Sequence, residues 1–291
     1  VHADSSYVMG MGHRVCQDYA RAGRTPQEHP LVYGIVSDGC SSSPDTDVGA
    51  RLLALGAEAM LHQCFEQTLR DRHFYRRQRV DPEVPLFQEE DCLNRPFMDV
   101  ARHAFMANHT LRDMQTRLRS EALDATLLFV AAESSGVARF CCMGDGVIAA
   151  KDWVKGGLRI WDVEAPDGYP RYPNYCNNDM RRASVEAGSP WIVRFPGGGE
   201  FHTSKVKSFD QPVVGAQVVA IFSDGVRSFT DAERNPIPSA EIVAELMAFK
   251  GYQGAFVQRR MHAFLKAAAK RGWRHEDDLA MAAIDMAVEG V

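Results

Sequence analysis

The chain has 291 residues, of which 45% are apolar and 9% aromatic, enough for a substantial buried core. Its 33 basic and 38 acidic side chains are interspersed and leave a net charge of −5, which disfavours nucleic acid and anionic lipid as partners. No run of about 18 apolar residues could span a bilayer, and no signal-peptide succession opens the chain, so the cytoplasm is the expected compartment and no membrane is implied.

Residues 31–37 (LVYGIVS) form a short apolar run that stops at Asp38-Gly39 and predicts a buried strand. After a polar loop, Leu53, Ala57, Met60, Leu61, Cys64 and Phe65 recur at intervals of three and four. That spacing predicts a helix over 48–69, with Asp45, Thr46 or Asp47 as its cap. Residues 71–96, broken by Pro82, Pro85 and Pro96, read as a connection, and Phe97, Ala101, Ala104, Leu111 and Leu118 mark a second helix.

Between 125 and 150, TLLFVAAE, VARFCCMGDG and VIAA predict an antiparallel meander. Residues 152–212 hold several prolines and the run Gly197 to Gly199, with only short strand candidates near Trp191, and are expected to be a functional loop or flap. A buried strand follows at 218–223 (VVAIFS) and again ends in Asp-Gly. Helical patterns lie at 240–249 and around Val257, Met261, Phe264, Leu265 and Ala268, and LAMAAIDMAV closes the chain as a strand. Strands at both ends and in the middle, with helices between, fit one α+β domain over residues 1–291 with an insertion at about 152–212. Seven cysteines, an odd number without a C-x-x-C pair, argue against a disulfide framework and a structural zinc site.

Three of the four Asp-Gly pairs directly follow an apolar strand: Asp38-Gly39, Asp145-Gly146 and Asp224-Gly225. Glu276-Asp277-Asp278 stands just before the last strand, and Gln17-Asp18 near the first. A single Asp-Gly is most simply a hairpin turn, and that explanation suits Asp145. Asp38 runs into a long loop and Asp224 into a helical turn, so neither closes a two-residue hairpin.

Two like charges about 4 Å apart repel by about 4 kcal/mol at an effective dielectric of 20, a cost divalent cations remove. All-oxygen ligands favour Mg²⁺ or Mn²⁺. Two such ions can bridge a water, lower its pKa and aim the hydroxide at a phosphorus.

The order Gln17-Asp18, Asp38-Gly39, Asp124-Ala125-Thr126, Gly144-Asp145-Gly146, Ser223-Asp224-Gly225, Asp277-Asp278 resembles the metal-dependent protein phosphatases of type 2C (the PPM family), notably bacterial members with a Cys-Gln-Asp start. The resemblance implies a four-layer α-β-β-α sandwich: two antiparallel β-sheets flanked by pairs of antiparallel helices, with two or three ions at one end. It implies that Asp38 bridges two metals with the Gly39 carbonyl on one, that Asp224 and Asp277 bind the other, and that Asp18 contacts metal-bound waters. Asp145 would hold a third ion with Asp224, Thr126 would support the centre, and Arg14 would bind substrate phosphate.

Gln17 stands where glutamate is common, Cys40 where some relatives carry a histidine proposed as general acid, and Asp278 competes with Asp277 as ligand. His13 reads as a solvated or core-satisfied histidine more readily than as a catalyst. The implied function is hydrolysis of phosphoserine or phosphothreonine in proteins, with a Ser/Thr kinase as a counterpart. A non-catalytic binding module on the same scaffold, or a phosphatase of small phosphorylated metabolites, are the alternatives. Oligomeric state is not legible.

Overall fold

The computed structural model describes residues 2–26, 31–77, 120–132, 137–153, 156–165, 170–177, 183, 187–203 and 209–287. Fourteen strands and three α-helices are described. Strands β1 (His2–Val8), β14 (Leu279–Asp285), β11 (Ala216–Phe222), β6 (Gly146–Asp152), β7 (Leu158–Glu164), β8 (Trp191–Arg194) and β9 (Glu200–Thr203) form, in that order, a seven-stranded antiparallel sheet. Strands β10 (Phe209–Val214), β5 (Val137–Met143), β4 (Leu127–Ala132), β3 (Val32–Ser37) and β2 (Tyr19–Arg24) form a five-stranded antiparallel one. A short ribbon pairs β12 (Phe229–Thr230) with β13 (Arg274–His275).

The continuous apolar runs arise because the central strands are covered on both faces. Alternate residues of each strand serve different cores, as the period of two requires. Val36, Val130, Phe140 and Cys142 meet Ile148, Val219, Ile221, Ala282 and Ile284 between the sheets. Ile35, Leu127, Phe129 and Cys141 point outward onto Ala54, Ala57, Leu61 and Phe65 of α1 (Thr46–Arg77). On the far side, Val147, Ala220, Phe222 and Met281 pack against Val243 and Leu246 of α2 (Ser239–Leu246) and Val257, Met261 and Phe264 of α3 (Phe256–Lys270). Burying a side chain of this kind contributes roughly 1.5–3 kcal/mol.

Several expectations are corrected. Helix α1 runs to Arg77, past the 69 expected and through the start of the expected connection. Most of that connection, and the second helix at 97–118, lie outside the described residues. Residues 152–212 are not simply a loop: β7, β8 and β9 extend the larger sheet and β10 joins the smaller one.

Nor is 125–150 a simple meander. Strands β4 and β5 pair, but β5 and β6 belong to different sheets, so Gly144-Asp145 is a crossing between layers rather than a hairpin turn. Gly144 has φ +101°, in the left-handed region, and a Cβ there would lie 2.7 Å from Thr126 Cγ2, so only glycine suits the crossing.

Candidate metal centre

The registers place every sequence-predicted acidic site at one end of the sandwich. Tyr19 pairs with Ser37, Val36 with Leu128, and Leu127 with Met143, so the start of β2 and the ends of β3 and β5 lie together. In the other sheet Phe222 pairs with Val147 and Met281, and Val8 with Leu279. Asp18, Asp38, Asp145, Asp224 and Asp277-Asp278 therefore occupy loops at that end.

Asp18 is 2% exposed, and its Oδ2 has no hydrogen-bond partner among the described residues. Burial raises its pKa to about 8; hydrogen bonds with Asp38 and Ser223 oppose the rise, while the charges of Asp224 and Asp278 add to it. Burial likewise lifts Asp38 well above the carboxylate range, reinforced by Asp18 and Asp224. Asp277 is raised by burial and by Asp224. Asp145 is pushed up to about 7 by burial, with Asp224 adding and Arg227 opposing.

Carboxylates crowded in this way hold protons unless positive charge is supplied. As they stand, no three His, Cys, Asp or Glu side chains among the described residues are gathered into a metal-binding group. The chemistry of the set nevertheless fits a hard divalent cation: the donors are all oxygens, and one buried carboxylate oxygen is orphaned.

The loops are fixed from behind. Thr126, 1% exposed, takes the Asp38 backbone from two sides: Asp38 N–H donates to Thr126 Oγ1 at 3.0 Å, and Thr126 N–H to the Asp38 carbonyl at 2.8 Å. Ser37 Oγ donates to the Thr126 carbonyl at 2.6 Å. Gly39 N–H donates to the Gln17 carbonyl at 3.2 Å, and Gln17 Nε2 to Thr46 Oγ1 at 2.8 Å, tying the loop to the start of α1.

The two adjacent aspartates differ sharply. Asp278 has a side chain 1% exposed and accepts Gly10 N–H at 2.7 Å and Gln17 N–H at 2.6 Å, with His13 Nδ1 at 2.9 Å. The Asp277 side chain is 43% exposed; its Oδ1 accepts Asp278 N–H at 2.9 Å and lies 3.5 Å from His13 Nε2. Gly225 permits the close approach of the two loops, since a Cβ there would lie 1.8 Å from the Asp278 carbonyl oxygen. Arg14 is exposed on the loop between β1 and β2.

Residues given no role in the sequence reading also reach this end. Arg227 contacts Asp162 and Asp145. Asp124, 2% exposed, accepts Asn174 Nδ2 at 2.7 Å and Ser43 Oγ at 3.2 Å, while its carbonyl accepts Cys40 N–H at 2.8 Å. Tyr172 is buried and pairs with the Cys40 thiol, within reach of the Asp38 and Asp145 charges.

A positional signal existed for two of these. Asp124 belongs to the Asp124-Ala125-Thr126 motif, in which the resemblance gives only Thr126 a role, and Arg227 follows Asp224 by three residues. Tyr172 and Asn174 sit in a proline-rich stretch that carries no periodic signal. His13, read as solvated or core-satisfied, instead spans both aspartates; burial opposes its charged form, but Asp278 and Asp277 raise its pKa.

The family model described as protein phosphatase 2C matches residues 12–266. Among solved structures, a serine-threonine phosphatase 2C from Toxoplasma gondii is 13% identical, with a TM-score of 0.54 and coverage of 97% of this chain and 93% of that one. A bacterial serine phosphatase is 10% identical, with a TM-score of 0.52 and coverage of 99% of both chains. No curated protein gives a significant sequence match.

Proposed function

Because the chain belongs to the protein phosphatase 2C family and is therefore a phosphatase, we propose that it hydrolyses phosphoserine and phosphothreonine in proteins with the help of bound Mg²⁺ or Mn²⁺. The observation that carries this reading is the convergence of Asp18, Asp38, Asp224 and Asp277 from separate strand ends onto one end of the sandwich.

Asp38 and the Gly39 carbonyl, with Asp224 and Asp277, are the groups that would hold the ions, and the buried Asp18 interacts with Asp38 and Asp224. When bound, the ions supply the positive charge that activates water and neutralises phosphate oxygens. Asp277 is the ligand of its pair, because the carboxylate of Asp278 is already engaged by two backbone N–H groups. Asp278 instead positions the loop that carries Gln17 and Asp18.

Thr126 holds the Asp38 backbone still, so that its carboxylate would hold an ion without reorganisation. Arg14, exposed at the rim, offers a planar fork for phosphate oxygens. With cysteine at position 40, the leaving group's proton does not come from a histidine there. A Ser/Thr kinase that phosphorylates the same proteins is the counterpart this reading implies.

Purified protein is expected to turn over a phosphopeptide with Mn²⁺ and to stop on addition of chelator. A folded protein inactive across Mg²⁺ and Mn²⁺ would overturn the reading, and faster turnover of phosphorylated metabolites than of phosphopeptides would reassign the substrate.

A further inference from the structure

Arg227 closes the 3-10 turn Asp224–Arg227 and turns back toward the site. Its Nη2 donates to Asp162 Oδ1 and, at 2.8 Å, to the Val163 carbonyl of β7, with the Gly146 carbonyl of β6 at 3.5 Å. Its Nη1 lies 3.5 Å from Asp145 Oδ2. Asp145 is 8% exposed, and Asp224 is near enough to act on the guanidinium. A side chain anchored at several points to two strands has little freedom to leave.

We propose that Arg227 takes the electrostatic place of a third cation at Asp145, so that the site accepts two divalent ions and the protein itself supplies the remaining positive charge. This rests on the phosphatase reading and deepens it. The geometry gives the reason: an ion liganded by both Asp145 and Asp224 would sit beside a fixed guanidinium, and like charges at such a distance repel strongly in a partly buried site. Arg227 is thus a positioning residue, holding Asp145 and the crossing between the sheets rather than touching substrate.

The test counts Mn²⁺ ions by calorimetry, with free Mn²⁺ followed by electron paramagnetic resonance, alongside phosphopeptide turnover. The wild-type protein is expected to bind two ions, and Asp145→Asn to bind the same number. Arg227→Gln is expected to gain a third, weaker ion, with affinity about tenfold or more above any residual wild-type binding at that place. The double variant Arg227→Gln/Asp145→Asn should lose it again.

Three ions in the wild type, loss of an ion in Asp145→Asn, or no gain in a folded Arg227→Gln would each overturn the proposal. If Arg227→Gln does not fold, as judged by circular dichroism, Asp145→Asn decides: an unchanged count supports the proposal and a lost ion defeats it. A wild type that turns over phosphopeptide with three ions defeats this inference alone. A wild type that binds no Mn²⁺ and has no turnover defeats the phosphatase reading with it.

Discussion

The two sides of the acidic site differ in what faces their carboxylates. Around Asp18 and Asp38, at the edge of the five-stranded sheet, carboxylates face carboxylates, and burial forces protons onto them. Around Asp145 and Asp162, at the crossing into the seven-stranded sheet, the chain brings its own guanidinium, which opposes without cancelling the rise that burial imposes on Asp145. Aspartates at strand ends are therefore not equivalent ligands: one beside an internal cation has part of its charge met by the fold, and one without it is left to an ion.

The contrast is broken most severely at Asp38. Replacing it with asparagine keeps the backbone hydrogen bonds to Thr126 but removes the central charge. Turnover is expected to fall by about a thousandfold or more, the rate equivalent of several kcal/mol of charge stabilisation, with the circular dichroism spectrum unchanged. Activity near wild type would remove Asp38 from the reaction.

Asp278 tests whether a committed carboxylate is structural. Asp278→Ala leaves Gly10 N–H and Gln17 N–H without their acceptor and should cost about 2–4 kcal/mol, read as a lower urea midpoint, whereas Asp278→Asn keeps an acceptor oxygen and should cost less. Equal losses from both variants would show that the negative charge, not the hydrogen bonding, matters there.

A milder perturbation uses pH on the chelated protein. The folded pKa of Asp18 is about 8, above its ordinary 3.8. The folded state therefore binds more protons than the unfolded state between those values. Its contribution to stability is fully present below about pH 4 and is lost as pH rises through about 8. Urea midpoints of metal-free protein should fall across that window, and saturating Mn²⁺ should flatten the trend. Stability rising with pH in the metal-free state would contradict the uncompensated cluster.

How much of this was legible in the sequence follows from which signals are local. Strands β3, β4, β11 and β14 are apolar on both faces and declared themselves as unbroken runs. The Asp-Gly pairs after them located the site. Strand β1, with sequence HADSSYV, is a half-buried edge whose identity depends on β14 at the far end of the chain. Strand β10 is also an edge and contains Pro212, a residue edge strands tolerate and central ones do not, so its proline read as a loop signal.

The switch of sheets at Asp145 had no sequence signature separating it from a hairpin, because glycine and aspartate serve both geometries. Asp277 and Asp278 could not be separated either, since their difference lies in which one the Gly10 and Gln17 backbone reaches.

That reach, from Gly10 to Asp278, has a consequence for how the enzyme comes into being. A ribosome releasing the chain from its amino end would have made Asp18, Asp38 and Asp145 long before the strand that fixes their neighbours exists. The nascent polypeptide cannot close this loop until the segment carrying Asp278 emerges, so the site's framework is completed only after the strand at 279–285 has been made.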